Sequence, residues 1–201
     1  QSLGGLRIEV ELDELLHGEH LVVAVRPDIA VTAVRQINGE IVPNPVYQRV
    51  IAGDPAPKKQ GWERPLLHVT LALPGGLVLH VLNAHFKSKL AVPADTLMLD
   101  TFTWTSAAGW AEGFFVSSIK RVGAALEARL VIDRIFDTDP DAAIVIAGDL
   151  NANSDEVPVM ALRGRVEETG NAGLGNRVLV PFERNVPEPA RFSLIHQGKG
   201  E

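Results

Sequence analysis

The chain has 201 residues, no cysteine and a formal net charge of −6. Without thiols, disulfides and thiolate metal sites are excluded, so any metal must be held by oxygen or imidazole, which suits Mg²⁺, Mn²⁺ or Ca²⁺. The charge argues against a broad basic surface gripping a nucleic-acid backbone, but not against a phosphoester whose charge a cation offsets.

Apolar content of 46% with 22% charged residues is that of an ordinary soluble globular protein, and the length suits one domain over 1–201. No apolar stretch approaches the roughly 18 residues that span a bilayer. The chain opens at Gln1 without a charged-then-apolar leader, so no targeting signal is read and localisation stays open.

In chain order, Leu12–Leu16 predicts a short helix closed by Gly18. The apolar run Leu21–Val25 predicts a strand, broken by Arg26-Pro27-Asp28, and Ile29–Ile37 a second strand before the Asn38-Gly39 turn. Four prolines between Ile41 and Pro57 predict loop, with at most an edge strand at Val46–Ile51. Leu67, Val69, Leu71 and Leu73 alternate along the next strand. Pro74-Gly75-Gly76 turns the chain and Leu77–Ala84 returns, apolar on both faces. This hairpin, central to a sheet, delivers Asn83, His85 and Lys87 at its far end.

The stretch Trp104–Phe115, rich in aromatics and glycine, suits a loop covering a site; the competing reading is that its rings pack on the core. A helix is predicted over Ser118–Phe136, with Ile119, Val122, Leu126 and Leu130 as its apolar stripe, Ser117 or Ser118 as cap and Asp139-Pro140 as stop. Glu127, Arg129, Asp133 and Arg134 then form a solvated face. Ala142–Ala147 predicts a strand buried on both faces, ending in Gly148-Asp149-Leu150-Asn151. If extension persists past Gly148, Asp149 and Asn151 share one side; the alternative is that both merely serve a turn. Asp155 and Glu156 start a short helix over Val157–Arg163, Asn171–Asn176 is loop, and Ala190–Ile195 is a last strand. His68 and His80 alternate with apolar neighbours and read as structural, and Gly170–Gly175 is too irregular to cradle phosphate. The sum is an α+β layered domain.

Two strand ends carry chemistry: Asn83-Ala84-His85-Phe86-Lys87-Ser88 and Gly148-Asp149-Leu150-Asn151. Attack at phosphorus accumulates negative charge on nonbridging oxygens, and His85 and the Asn151 amide are suitable donors for it. Lys87 adds charge or braces its loop, and Asp149 orients or deprotonates water or helps hold a cation. Asn83 and Lys87 are the candidate substrate contacts.

In this order, with one helix between them, the two strand ends resemble the endonuclease/exonuclease/phosphatase superfamily, the fold of deoxyribonuclease I. The tail Arg191–Glu201 and the strand His20–Arg26 are similar to family segments too, so the resemblance covers about residues 20–201. It implies a four-layer sandwich of two packed β-sheets flanked by helices, and metal-dependent phosphodiester hydrolysis by activated water, as in a nuclease or related phosphodiesterase. It assigns His85 to phosphate contact, Asp149 to water activation and Asn151 to transition-state stabilisation, with Mg²⁺ (or Mn²⁺ or Ca²⁺) as cofactor. A phospholipid or small-phosphoester phosphatase and a non-catalytic binding module are the alternatives.

The family's metal-binding Glu lies on an early Gln-Glu-Val-like strand, whereas Ile8-Glu9-Val10 lacks the Gln. Glu9 is therefore a second metal candidate beside Asp149. The family's terminal Asp-His pair has no counterpart before Glu201. The resemblance thus implies a chain lacking both ends of the domain, expected by itself to be inactive, to bind Mg²⁺ poorly and to associate through open sheet edges.

Overall fold

The computed structural model describes residues 6–10, 21–38, 48–49, 56–62, 64–94, 97–101 and 103–187. The expected helix at Leu12–Leu16 and the last strand at Ala190–Ile195 lie outside them, as does the tail Arg191–Glu201.

The centre is the predicted hairpin. Strands β6 (Leu66–Ala72) and β7 (Val78–His85) pair antiparallel, with Leu73 and Leu77 closing the turn. Strand β3 (Ala30–Ile37) joins β6 antiparallel, and β8 (Ala143–Asp149) joins β7 parallel, giving the order β3-β6-β7-β8. A parallel neighbour requires a crossover, and helix α1 (Ala107–Thr138) supplies it. Strand β1 (Leu6–Val10) pairs antiparallel with β2 (Leu21–Val25) in a separate two-stranded sheet, and the two-residue β4 (Gln48–Arg49) and β5 (Lys58–Lys59) pair with each other. Mixed α+β content around a four-stranded mixed sheet is thus established.

Alternation along the strands divides the core in two. On one face, Leu66, Leu82 and Ala84 meet Ala125, Ala128, Ile132 and Phe136 of α1; Leu82 and Ile132 are fully buried. On the other, Leu67, Val69 and Leu71 meet Leu21 and Val25 of β2. Each such large side chain contributes about 1.5–3 kcal/mol by leaving water.

The helix departs from expectation. It begins at Ala107, capped by Ser106, whose Oγ accepts from the Gly109 amide at 3.0 Å. Trp110, Phe114 and Phe115 therefore lie on α1 and not in a loop. The glycines that disguise its first turns have a packing reason. A Cβ on Gly113 would stand 2.5 Å from the Val92 carbonyl and 2.6 Å from the Trp104 ring. The buried face is Val116, Ala125, Ala128 and Ile132; Ile119, Val122, Leu126 and Leu130 are only half-buried at its flank. Lys120 and Arg121 occupy buried positions on the face itself, so apolar periodicity alone misplaced it. Glu127, expected in solvent, is also buried, while Arg129 and Asp133 do pair across one turn.

Strand β8 is likewise not buried on both faces. Ile144 and Ile146 pack toward α1, but Val145 is 48% exposed and Ala147 is exposed. Among the described residues β8 is an edge strand of this sheet, with β3 at the other edge, and the β2 layer reaches only as far as Leu79 and Val81 of β7. Helix α2 runs Val157–Arg163 as expected, followed by α3 (Val166–Thr169); Ala172–Arg177 is a 3₁₀ turn and not irregular loop. No described helix is long and apolar enough to cross a membrane.

Candidate functional site

The parallel register of β7 and β8 sets Ala84 beside Gly148 and His85 beside Asp149, both pairs at the carboxyl ends of their strands. Such ends are where open α/β sheets present ligand-binding groups. Closure there requires a glycine. Gly148 has φ +120°, and a Cβ on it would lie 2.1 Å from the Ala84 carbonyl oxygen and 2.6 Å from Asn83 Oδ1. Past Gly148 the chain turns, with Asn151 at φ 47°, a left-handed value that Asn tolerates. Asp149 Oδ1 accepts from the Asn151 backbone amide at 3.0 Å. Asp149 and Asn151 are thus brought together by a turn and not by continued extension. The turn and the site are the same feature.

His85 Nε2 and Asp149 Oδ2 stand 3.9 Å apart, with 27% and 62% of their side chains exposed. Asn151 Nδ2 donates to the Phe86 carbonyl at 2.9 Å, which ties the β8 turn to the chain leaving His85 and commits one of its two amide hydrogens. A half-buried imidazole, an open carboxylate and a carboxamide are therefore gathered at one edge. The set offers hydrogen bonds and an acid/base group to a ligand arriving from solvent.

The remaining candidates take other places. Asn83 Nδ2 donates to the Val22 carbonyl at 2.9 Å, linking the two sheets, so its amide nitrogen is a brace between layers. Lys87 Nζ donates to Ser88 Oγ at 3.2 Å in the chain just after His85. Glu9 sits on a formed strand, β1, paired in register with that same Val22. Among the described residues no group of three or more His, Asp or Glu side chains is arranged to hold a metal ion.

Arg64 and Arg121 escaped the sequence reading, and Ser117 entered it only as a candidate helix cap. Arg64 Nη1 donates to the Phe86 carbonyl at 3.0 Å, and Ser117 Oγ to the Ser88 carbonyl at 2.7 Å. Arg121 Nη1 reaches the carbonyls of Lys87 (3.2 Å) and Ser88 (2.8 Å). Ser117 is mid-helix, so it is not the cap that its type suggested. No motif marks these residues, because their partners are backbone atoms distant in sequence. Nearby, Glu156 precedes α2 and binds Lys89 Nζ at 2.6 Å, which holds its carboxyl below the usual range.

A cavity of about 600 Å³ contains none of His85, Asp149 and Asn151. It lies between the sheet and the end of α1, lined by His68, His80 and Arg134 among others. His68 Nε2 and His80 Nδ1 share a hydrogen bond at 3.0 Å, in keeping with structural histidines. No family model matches the chain, and no curated protein matches it.

Proposed function

We propose that this chain carries the site of a metal-dependent phosphoesterase of the endonuclease/exonuclease/phosphatase type, hydrolysing phosphodiesters by attack of activated water. The observation that carries the reading is the adjacency of His85, Asp149 and Asn151 at neighbouring strand ends. The four-layer deoxyribonuclease I-like sandwich is part of this proposal; a sheet with α1 on one face and a β-strand layer on the other is compatible with it.

In this reading His85 and the second Asn151 amide hydrogen donate to nonbridging phosphate oxygens, where charge accumulates as water attacks. Asp149 orients that water and takes its proton. Mg²⁺ commonly binds through one or two carboxylates, several waters and the substrate's own phosphate, so an exposed Asp149 carboxylate is a fitting ligand, with Glu9 of β1 as second candidate. Bound there, the cation would neutralise phosphate charge. Lys87 adds a positive charge beside the same opening.

The test is Mg²⁺-dependent hydrolysis of bis-p-nitrophenyl phosphate and of plasmid DNA by the intact natural protein, compared with His85→Gln and Asp149→Asn. Metal-dependent turnover lost in both variants supports the proposal. Phosphate binding without turnover would replace the enzyme with a binding module on the same scaffold.

A further inference from the structure

Beyond β7 the chain runs through Phe86, Lys87 and Ser88 in no regular secondary structure. Regular ladders no longer satisfy its backbone there, so its carbonyls need other partners. All three have them, and side chains donate every bond. The Phe86 carbonyl accepts from Arg64 Nη1 and Asn151 Nδ2, that of Lys87 from Arg121, and that of Ser88 from Arg121 and Ser117. The segment bearing Lys87 and following His85 is therefore clamped at both ends.

Arg121 is the centre of the second clamp. It is 6% exposed, and its Nη1 also meets Ser117 Oγ at 3.2 Å and its Nη2 meets Ser118 Oγ at 3.4 Å. Burial lowers its pKa, against the attraction of Glu156. A buried guanidinium is costly unless its donors are satisfied. Here the acceptors are chiefly two successive backbone carbonyls, not a carboxylate. The rigid guanidinium plane, with Nη2 held at Ser118, fixes Nη1 between the two carbonyls; a lysine ammonium, a point charge on a flexible stem, is not so fixed.

We infer that Arg121 is a positioning residue, holding the Phe86–Ser88 segment from helix α1 so that His85 and Lys87 face the same opening as Asp149. The inference rests on the phosphoesterase reading for its activity readout, but not for its structural one. A misplacement of about 1 Å in such a site costs on the order of a hundredfold in rate. Arg121→Lys should therefore lower kcat by about 10- to 100-fold with KM within about twofold. Backbone amide exchange at Lys87, Ser88 and Lys89 should quicken by at least about tenfold. Millimolar guanidinium added to Arg121→Ala should restore part of the turnover. Where Arg121→Ala does not fold, Ser117→Ala, which removes the hydroxyl shared with Arg121, should show a smaller change of the same kind. A lowered melting temperature with unchanged kcat and unchanged exchange would reduce Arg121 to a structural role. Absence of any hydrolysis by the wild type would overturn the phosphoesterase reading alone, and the exchange rates would still decide the place of Arg121.

Discussion

His85 Nε2 lies 3.9 Å from Asp149 Oδ2 because two parallel strands end in register. At that distance the two groups are near enough to share a ligand, yet Asp149 stays 62% exposed. Asp149→Asn keeps an oxygen to accept from the Asn151 amide, so the turn survives. Phosphodiester hydrolysis by the intact protein should fall by on the order of a hundredfold or more, the range of one lost acid/base group. Stability by urea denaturation should shift by no more than about 0.5 kcal/mol. Equal turnover by wild type and variant would remove Asp149 from the mechanism.

At Gly148 of β8 the neighbouring β7 backbone leaves no room for a side chain. Alanine there meets the Ala84 carbonyl at 2.1 Å and must hold φ near +120°. Backbone strain of about 1–3 kcal/mol and overpacking of about 1–3 kcal/mol should add, so Gly148→Ala should lose about 2–6 kcal/mol. A urea midpoint matching the wild type's would show that the strands can part at no cost.

The aromatic stretch divides into two roles. Trp104 is half-buried, pairs through a β-bridge with Met98 and packs against Gly113 of α1, so its ring belongs to the fold. Trp104→Ala should cost about 2–4 kcal/mol in thermal or chemical melts. Its ratio of kcat/KM between bis-p-nitrophenyl phosphate and DNA should stay the same. Trp110 and Phe114, stacked with ring centroids 5.2 Å apart, are 46% and 39% exposed, and Trp110→Ala should cost far less stability. A changed substrate ratio in Trp104→Ala would return that residue to the site.

The histidine pair makes stability depend on pH. Burial pushes His68 down to about 4, with His80 and Arg35 as further causes, and burial also lowers His80. The folded state thus binds fewer protons than the unfolded state as pH drops below the ordinary histidine value. The sign follows directly: stability is full above about pH 6.5 and declines toward pH 4, by on the order of 2–3 kcal/mol for His68. Denaturant melts from pH 7.5 to 4.5 should show this decline, and His68→Gln should flatten it. An unaltered slope in the variant would assign the decline to carboxylates.

By itself the sequence determined the hairpin, the β8 run, helix α2 and the two strand ends, because each is written in local chemistry: alternation, turn residues and capping signals. It also singled out His85, Asp149 and Asn151, whose types and spacing carry meaning before folding. Tertiary structure alone decided the rest. Helix α1 gained 11 residues at its start, Ala107 for Ser118, because Gly113, poor in helix propensity, lets Trp104 and Val92 close on its face. Its buried face shifted because Lys120, Arg121 and Glu127 are buried there, which no hydropathy pattern anticipates. Glu9 acquired a strand only by pairing with β2. Arg64, Ser117 and Arg121 were joined to the segment after His85 through bonds to carbonyls between 22 and 34 residues away in sequence. A backbone carbonyl has no side-chain signature, so its partner is settled only when the chain has folded against itself.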